Sequence, residues 1–262
     1  MAESLRDDFA VNLACEVLYR YLAAALQEPG LSEACLLDDP GSGQLACDAA
    51  ELLRGLFLDV SIPLGFGELP AEELALTRAV AALGDTVAER RREYIRVFGL
   101  ATCRECPPYE TEYHKAEEVF FRSQQMADVA GFYHAFGLTP GGSSRERPDH
   151  LALELEFMAL LLMKERQAGT GDAASPEGDE AQICRAARES FLRDHLSWWV
   201  PSFALAMRLK AEDGFYAGVG RVLSALMPVE RSRAGIAAPI RPLEVSFIES
   251  PEECSGCLAA SG

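Results

Sequence analysis

The chain has 262 residues, 49% of them hydrophobic, with 41 acidic against 24 basic residues and a formal net charge of −17. That length accommodates one or two domains with a substantial core, and the acidic balance argues against nucleic acid as a partner, because phosphate contacts call for a basic face. The first eight residues lack the basic and apolar regions of a signal peptide, and no apolar run reaches the roughly 18 residues of a membrane span, so a cytoplasmic protein without stable membrane insertion is expected.

Helical periodicity runs through most of the chain. Residues 9–28 carry Leu13, Val17, Tyr21 and Ala24 at helical spacing and stop at Pro29-Gly30. A shorter helix is predicted over 44–58. Residues 70–98 are expected to form one helix, opened by Pro70 and ended by Gly99. Further helices are predicted over 111–136, up to Gly137, and over 149–168, where Asp149 is placed to cap the free amides. The stretch 181–210 reads as helix kinked or split at Pro201, and 215–227 as the last strong helix. No segment shows strand-like alternation of useful length. The expectation is all-α: a single-domain helical bundle over 1–233, followed by an extended, proline-rich and acidic tail over 234–262 that ends in Cys254-Ser-Gly-Cys257.

Between two helical patterns lies C-R-E-C-P-P-Y-E-T-E-Y, from Cys103 to Tyr113. Pro107 and Pro108 forbid a helix there and keep the backbone extended. The loop presents thiols, Tyr109, Glu110, Glu112 and Tyr113 from a fixed backbone, and loops of this kind more often carry function than stability. Cys103 and Cys106 form one C-x-x-C pair, and Cys254 and Cys257 another. Two such pairs can complete a tetrahedral site for zinc or hold an iron–sulfur cluster, with zinc favoured, which would pin the tail onto the loop. The alternative is two unrelated pairs or a redox couple. Cys15, Cys35, Cys47 and Cys184 lack partners in sequence and read as structural thiols.

Arg147-Pro148-Asp149-His150 opens an apolar helix on which His150 and Glu154 share a face. Such a pair suits acid–base or metal chemistry, but one histidine and one glutamate make an incomplete site, and a polar pair at a helix start is the favoured reading. Trp198, Trp199 and Pro201 read as core packing and a kink. There is no glycine-rich phosphate loop, G-x-S-x-G or dinucleotide-binding fingerprint. A non-enzymatic binding module is expected, with a metal- or redox-active protein built on the cysteine pairs as the alternative.

Four blocks carry a family likeness: R-E-Y-I-R-V-F-G over 92–99, C-P-P-Y-E-x-x-Y over 106–113, E-R-P-D-H-L-x-x-E-L-x-F-M over 146–158 and F-L-x-x-H-L-x-x-W-x-P over 191–201. The chain thereby resembles the TorD/DmsD/NarJ family of cytoplasmic chaperones for molybdopterin oxidoreductases of the dimethyl sulfoxide reductase type. The resemblance implies an all-helical chaperone, monomer or homodimer, whose partner is the catalytic subunit of such an enzyme. It would bind that subunit's N-terminal leader and hold its apo form for cofactor insertion before export. The client site it implies combines Pro107, Pro108, Tyr109, Glu110 and Tyr113 with Arg147, Asp149, His150 and Glu154. The paired cysteines (Cys103, Cys106, Cys254 and Cys257) are not a general feature of the best-known members, so the metal expectation stands on their spacing alone.

Overall fold

The computed structural model of the protein describes residues 2–30, 32–99, 104–114, 119–139, 146–168 and 176–238. Among these residues the architecture is all-α. The helices are α1 (Ala2–Ala25), α2 (Pro40–Phe57), α3 (Thr77–Ala81), α4 (Val87–Phe98), α5 (Val119–Ala135), α6 (Leu151–Ala168), α7 (Pro176–Phe191), α8 (Val200–Ala211) and α9 (Gly214–Arg233). The described residues form no strand and include an isolated antiparallel bridge, Tyr109 with His150. None of their helices is long and apolar enough to cross a membrane.

Local chemistry sets the helix starts. Asp39 accepts the Gly41 and Ser42 amides at 3.2 and 2.9 Å ahead of Pro40 at the first turn of α2. The single helix expected over 70–98 is instead three short pieces: a 3₁₀ turn at Ala71–Glu73, α3 and α4. The break falls at Gly84-Asp85-Thr86, where Thr86 and Glu89 form a reciprocal capping box, with amide-to-oxygen distances of 3.2 and 3.0 Å. A strong cap starts a new helix more readily than the old one can continue through glycine. The stretch 181–210 splits as well. A π-helical turn at Leu192–Leu196 closes with the Ser197 amide on the Leu192 carbonyl at 2.8 Å, and Pro201 then occupies the first turn of α8. A proline in a first turn gives up no intrahelical hydrogen bond.

Helix α6 is the centre of the molecule. Leu151, Leu155, Met158, Leu161 and Leu162 are fully buried, and α6 packs chiefly against α1 and α7. Helix α9 closes the other side against α8 and α3. Gly218 permits the close approach to α3, since a Cβ there would lie 2.3 Å from the Ala79 Cβ.

The segment between α2 and α3 is fastened to α9 by a buried ion pair. Arg231 Nε and Nη2 donate to the two carboxylate oxygens of Glu68 at 2.8 and 2.6 Å, and both side chains are almost wholly buried. Removing one partner strands the other charge away from water. We expect Arg231→Met to lower stability by about 3–5 kcal/mol, read as a fall in the urea midpoint without loss of native helix content.

Candidate functional site

The proline loop and the start of α6 are far apart in sequence and joined in space. The Glu110 amide donates to the Asp149 carbonyl at 3.0 Å, and the Leu151 amide to the Pro108 carbonyl at 2.9 Å. Each segment thereby satisfies backbone groups that no helix or sheet could reach. Pro107 is half-buried and Pro108 buried.

Asp149 is fully buried and is the hub of the joint. Its Oδ2 accepts the Thr111 amide and hydroxyl at 3.2 and 2.8 Å. Arg147 meets the same carboxylate through Nε and Nη2, at 3.0 and 2.7 Å, a forked pairing that suits the guanidinium plane. Arg147 Nη1 also donates to Glu112 Oε1 at 3.2 Å, and Arg122 donates to that oxygen at 3.3 Å. The Arg147 guanidinium lies 4.5 Å over the Tyr109 ring. Tyr109 donates its hydroxyl to Glu146 at 3.0 Å and meets His150 edge-on at 5.0 Å.

A second set of contacts ties the loop to the π turn. Glu110 is fully buried, with its carboxylate against His195 Nδ1 at 3.2 and 3.3 Å and the Trp198 indole nitrogen at 3.2 Å. Burial pushes the Glu110 carboxyl up, while hydrogen bonds from His195 and Trp198 oppose the shift. Tyr113 is buried with its ring 5.1 Å from Trp199, and His114 lies 4.3 Å from the Trp198 ring. Glu154 is fully buried, and among the described residues its oxygens accept no hydrogen bond within ordinary limits. Burial pushes that carboxyl well above the usual range, helped by the nearby Glu110 and Asp149 charges and opposed by the Trp199 side chain, the donor nearby.

The structure thus brings together the loop and helix residues singled out from the sequence, but uses several of them internally. Glu110, Asp149, His150 and Glu154 are buried, whereas Arg147 and Glu112 remain partly exposed, at 37% and 26% of their side chains. The outer rim adds Tyr109, Glu146, His114, Arg122 and Trp198, all partly exposed. Glu146, Arg122, His195 and Trp198 join the site although their sequence context does not assign them to it. The histidine in F-L-x-x-H-L and the glutamate opening E-R-P-D-H were the signals available. The expected capping by Asp149 is also displaced: His150 Nδ1 accepts the Ala152 amide at 3.1 Å at the start of α6, while the Asp149 carboxylate goes to Thr111 and Arg147.

Among the described residues no group of three or more His, Cys, Asp or Glu is placed to hold a metal ion. Cys106 is fully buried, 3.9 Å from the Phe203 carbonyl. Cys103, Cys254 and Cys257 lie outside the described residues, so three of the four expected metal ligands do too.

The His150 cap has a pH consequence. Burial pushes the imidazole down to about 4, against about 6.5 in an unfolded chain. The unfolded state therefore takes up its proton first, and this residue's contribution is present above about pH 6.5 and lost as pH falls towards 4. Glu154 acts with the opposite sign, since its raised carboxyl favours the folded state at low pH and costs stability as pH rises. We expect His150→Asn, which keeps a capping acceptor that does not titrate, to flatten the loss of stability between pH 6.5 and 4 by up to about 3 kcal/mol. Urea unfolding at a series of pH values checks this, and parallel curves for the two proteins would contradict it.

The family model described as nitrate reductase delta subunit matches residues 68–205, which contain the proline loop, α6 and the π turn. Over 114 residues the chain is 39% identical to a selenate reductase assembly chaperone protein of Thauera selenatis, covering 44% of this chain and 55% of that one. It is 36% identical over 110 residues to a chlorate reductase assembly chaperone protein of Ideonella dechloratans, covering 42% and 53%. It is 24% identical over 132 residues to the chaperone protein TorD of Aeromonas salmonicida, covering 50% and 55%. The chain spans about half the length of these curated relatives. With more than half of its own length inside the family match, the chain belongs to the nitrate reductase delta subunit family.

Proposed function

We propose that this protein is a non-enzymatic, cytoplasmic maturation chaperone dedicated to one molybdopterin oxidoreductase. In this reading it binds the N-terminal leader and the apo form of the catalytic subunit, assists cofactor insertion and delays export or assembly until the enzyme is loaded. Relatives named as assembly chaperones of selenate and chlorate reductases support the role.

The observation that carries the site assignment is the seat of Arg147. A guanidinium already rests on the Tyr109 ring beside the Glu112 carboxylate, at the partly exposed rim. A leader arginine would find the same recognition elements there: an aromatic face and the Glu112 and Glu146 carboxylates. The chain's net charge of −17 adds long-range attraction for a cationic leader. Asp149 and Glu110 hold this rim in shape from beneath, so charge reversal at either would disturb the fold rather than test the contact.

Two surface changes give the cleaner test. We expect Glu112→Lys with Tyr109→Ala to weaken binding of a synthetic leader, bearing paired arginines before an apolar stretch, by roughly tenfold or more. Isothermal titration measures this, and affinity should also fall as salt is raised. Unchanged affinity in the double variant would sink the site assignment.

We also propose one zinc ion bound by Cys103, Cys106, Cys254 and Cys257, supported by the two C-x-x-C spacings. Stoichiometric zinc in the purified protein, lost on Cys254→Ser with Cys257→Ser, is the expected result. Metal-free protein from zinc-replete cells would overturn it.

A further inference from the structure

The stretch that follows α2 carries an apolar edge. Residues 60–65 are neither helix nor strand, and no hydrogen bond from the Ile62 or Leu64 amide is present among the described residues. Leu58, Val60, Leu64 and Phe66 are between 42 and 46% exposed. Alternate residues of an extended chain share a face. Val60, Ile62 and Leu64, with Leu58 at the helical end of α2 and Ser61 between them, line one groove of about 200 Å³ together with Pro70 and Pro228. Single exposed apolar side chains are ordinary on a protein surface, whereas a contiguous row marks a contact.

We propose that this groove is the docking site of the chain's own C-terminal segment 243–248, Leu-Glu-Val-Ser-Phe-Ile, laid in as an added strand with Leu243, Val245 and Phe247 towards the groove. Three observations select this occupant. Arg231 donates through Nη1 to the Ile236 carbonyl and through Nη2 to the Pro63 carbonyl, both at 3.1 Å, so one guanidinium holds the chain's exit beside the groove. From Ala238, the last described residue, five peptide steps lead to Leu243, a reach of about 17 Å at full extension. The period-two pattern of 243–247 also matches that of Val60, Ile62 and Leu64, as pairing of two extended segments requires.

Magnitude decides between the tail and a second copy of the chain. A short tether supplies an effective concentration on the order of millimolar. A second copy at micromolar concentration competes at roughly a thousandfold disadvantage for equal contacts. Docking of the tail would cover the apolar row and supply backbone partners to Ile62 and Leu64, which blunts an edge otherwise open to aggregation.

Hydrogen exchange of the full chain, with sedimentation alongside, tests the proposal. We expect the amides of Ile62, Leu64 and 243–248 to exchange roughly tenfold or more slower than in an unstructured chain. Val245→Asp with Phe247→Asp should release both segments, and Val60→Asp with Leu64→Asp should release 243–248, with helix content unchanged in each. Exchange of 243–248 at the unstructured rate in the unsubstituted protein overturns the proposal, and decides alone if a groove variant disturbs the fold. Protection of the Ile62 and Leu64 amides that survives the tail substitutions also overturns it. So does protection that rises with protein concentration together with a dimer, which would assign the groove to a second copy.

Discussion

The buried carboxylate of Asp149 is the constraint on which the candidate site depends. A carboxylate removed from water costs several kcal/mol unless donors surround it. Its donors are the Thr111 amide and hydroxyl and the Arg147 fork, and they converge only when the proline loop lies against the start of α6. Loop and helix start are thereby one unit. The Tyr109–His150 bridge and the seat of Arg147 on the Tyr109 ring follow from it. Glu110, next in the chain, is carried inward to His195 and Trp198, which brings the π turn into the same assembly. The extra residue of a π turn rotates the side chains that follow it, and here it accompanies the placement of both partners on Glu110.

The opposite end of the bundle is held by the same kind of chemistry. Glu230 of α9 is fully buried and accepts from Tyr19 at 3.2 Å and Cys15 at 3.4 Å on α1, with Arg188 of α7 at 3.7 Å. Burial raises that carboxyl, but Arg233 and Arg188 overcome it and hold the group below the usual range. One residue on, Arg231 fastens the 58–70 segment and the chain's exit. Breaking any of these pairs leaves a charge without solvent or partner, so the buried ions fix which elements meet, while the apolar core supplies most of the drive to fold.

Much of the fold was legible in the sequence because its signals are local. Apolar spacing located α1, α2, α6 and α9, and the prolines located the loop. Boundaries failed where two local rules competed, as at Thr86, where a capping box overrode the continuity expected from Pro70 to Phe98. Asp149 stands where an N-cap belongs, yet its side chain serves the loop and leaves His150 to meet the helix amide. Nothing in a one-dimensional pattern ranks those two uses of a carboxylate.

The sequence by itself determined the all-α class, the rigid proline loop, the acidic character and, through four short blocks, the family. Each depends on covalent geometry, on periodicity or on residue identity, which a chain carries before it folds. Only the tertiary structure decided which polar groups face solvent. Glu110, Asp149 and Glu154, which the resemblance assigns to the client site, are buried, whereas Glu112, Glu146 and Arg147 reach the rim. That partition is set by which donors converge on each group and by how much water the surrounding helices exclude, and both are properties of the packed molecule.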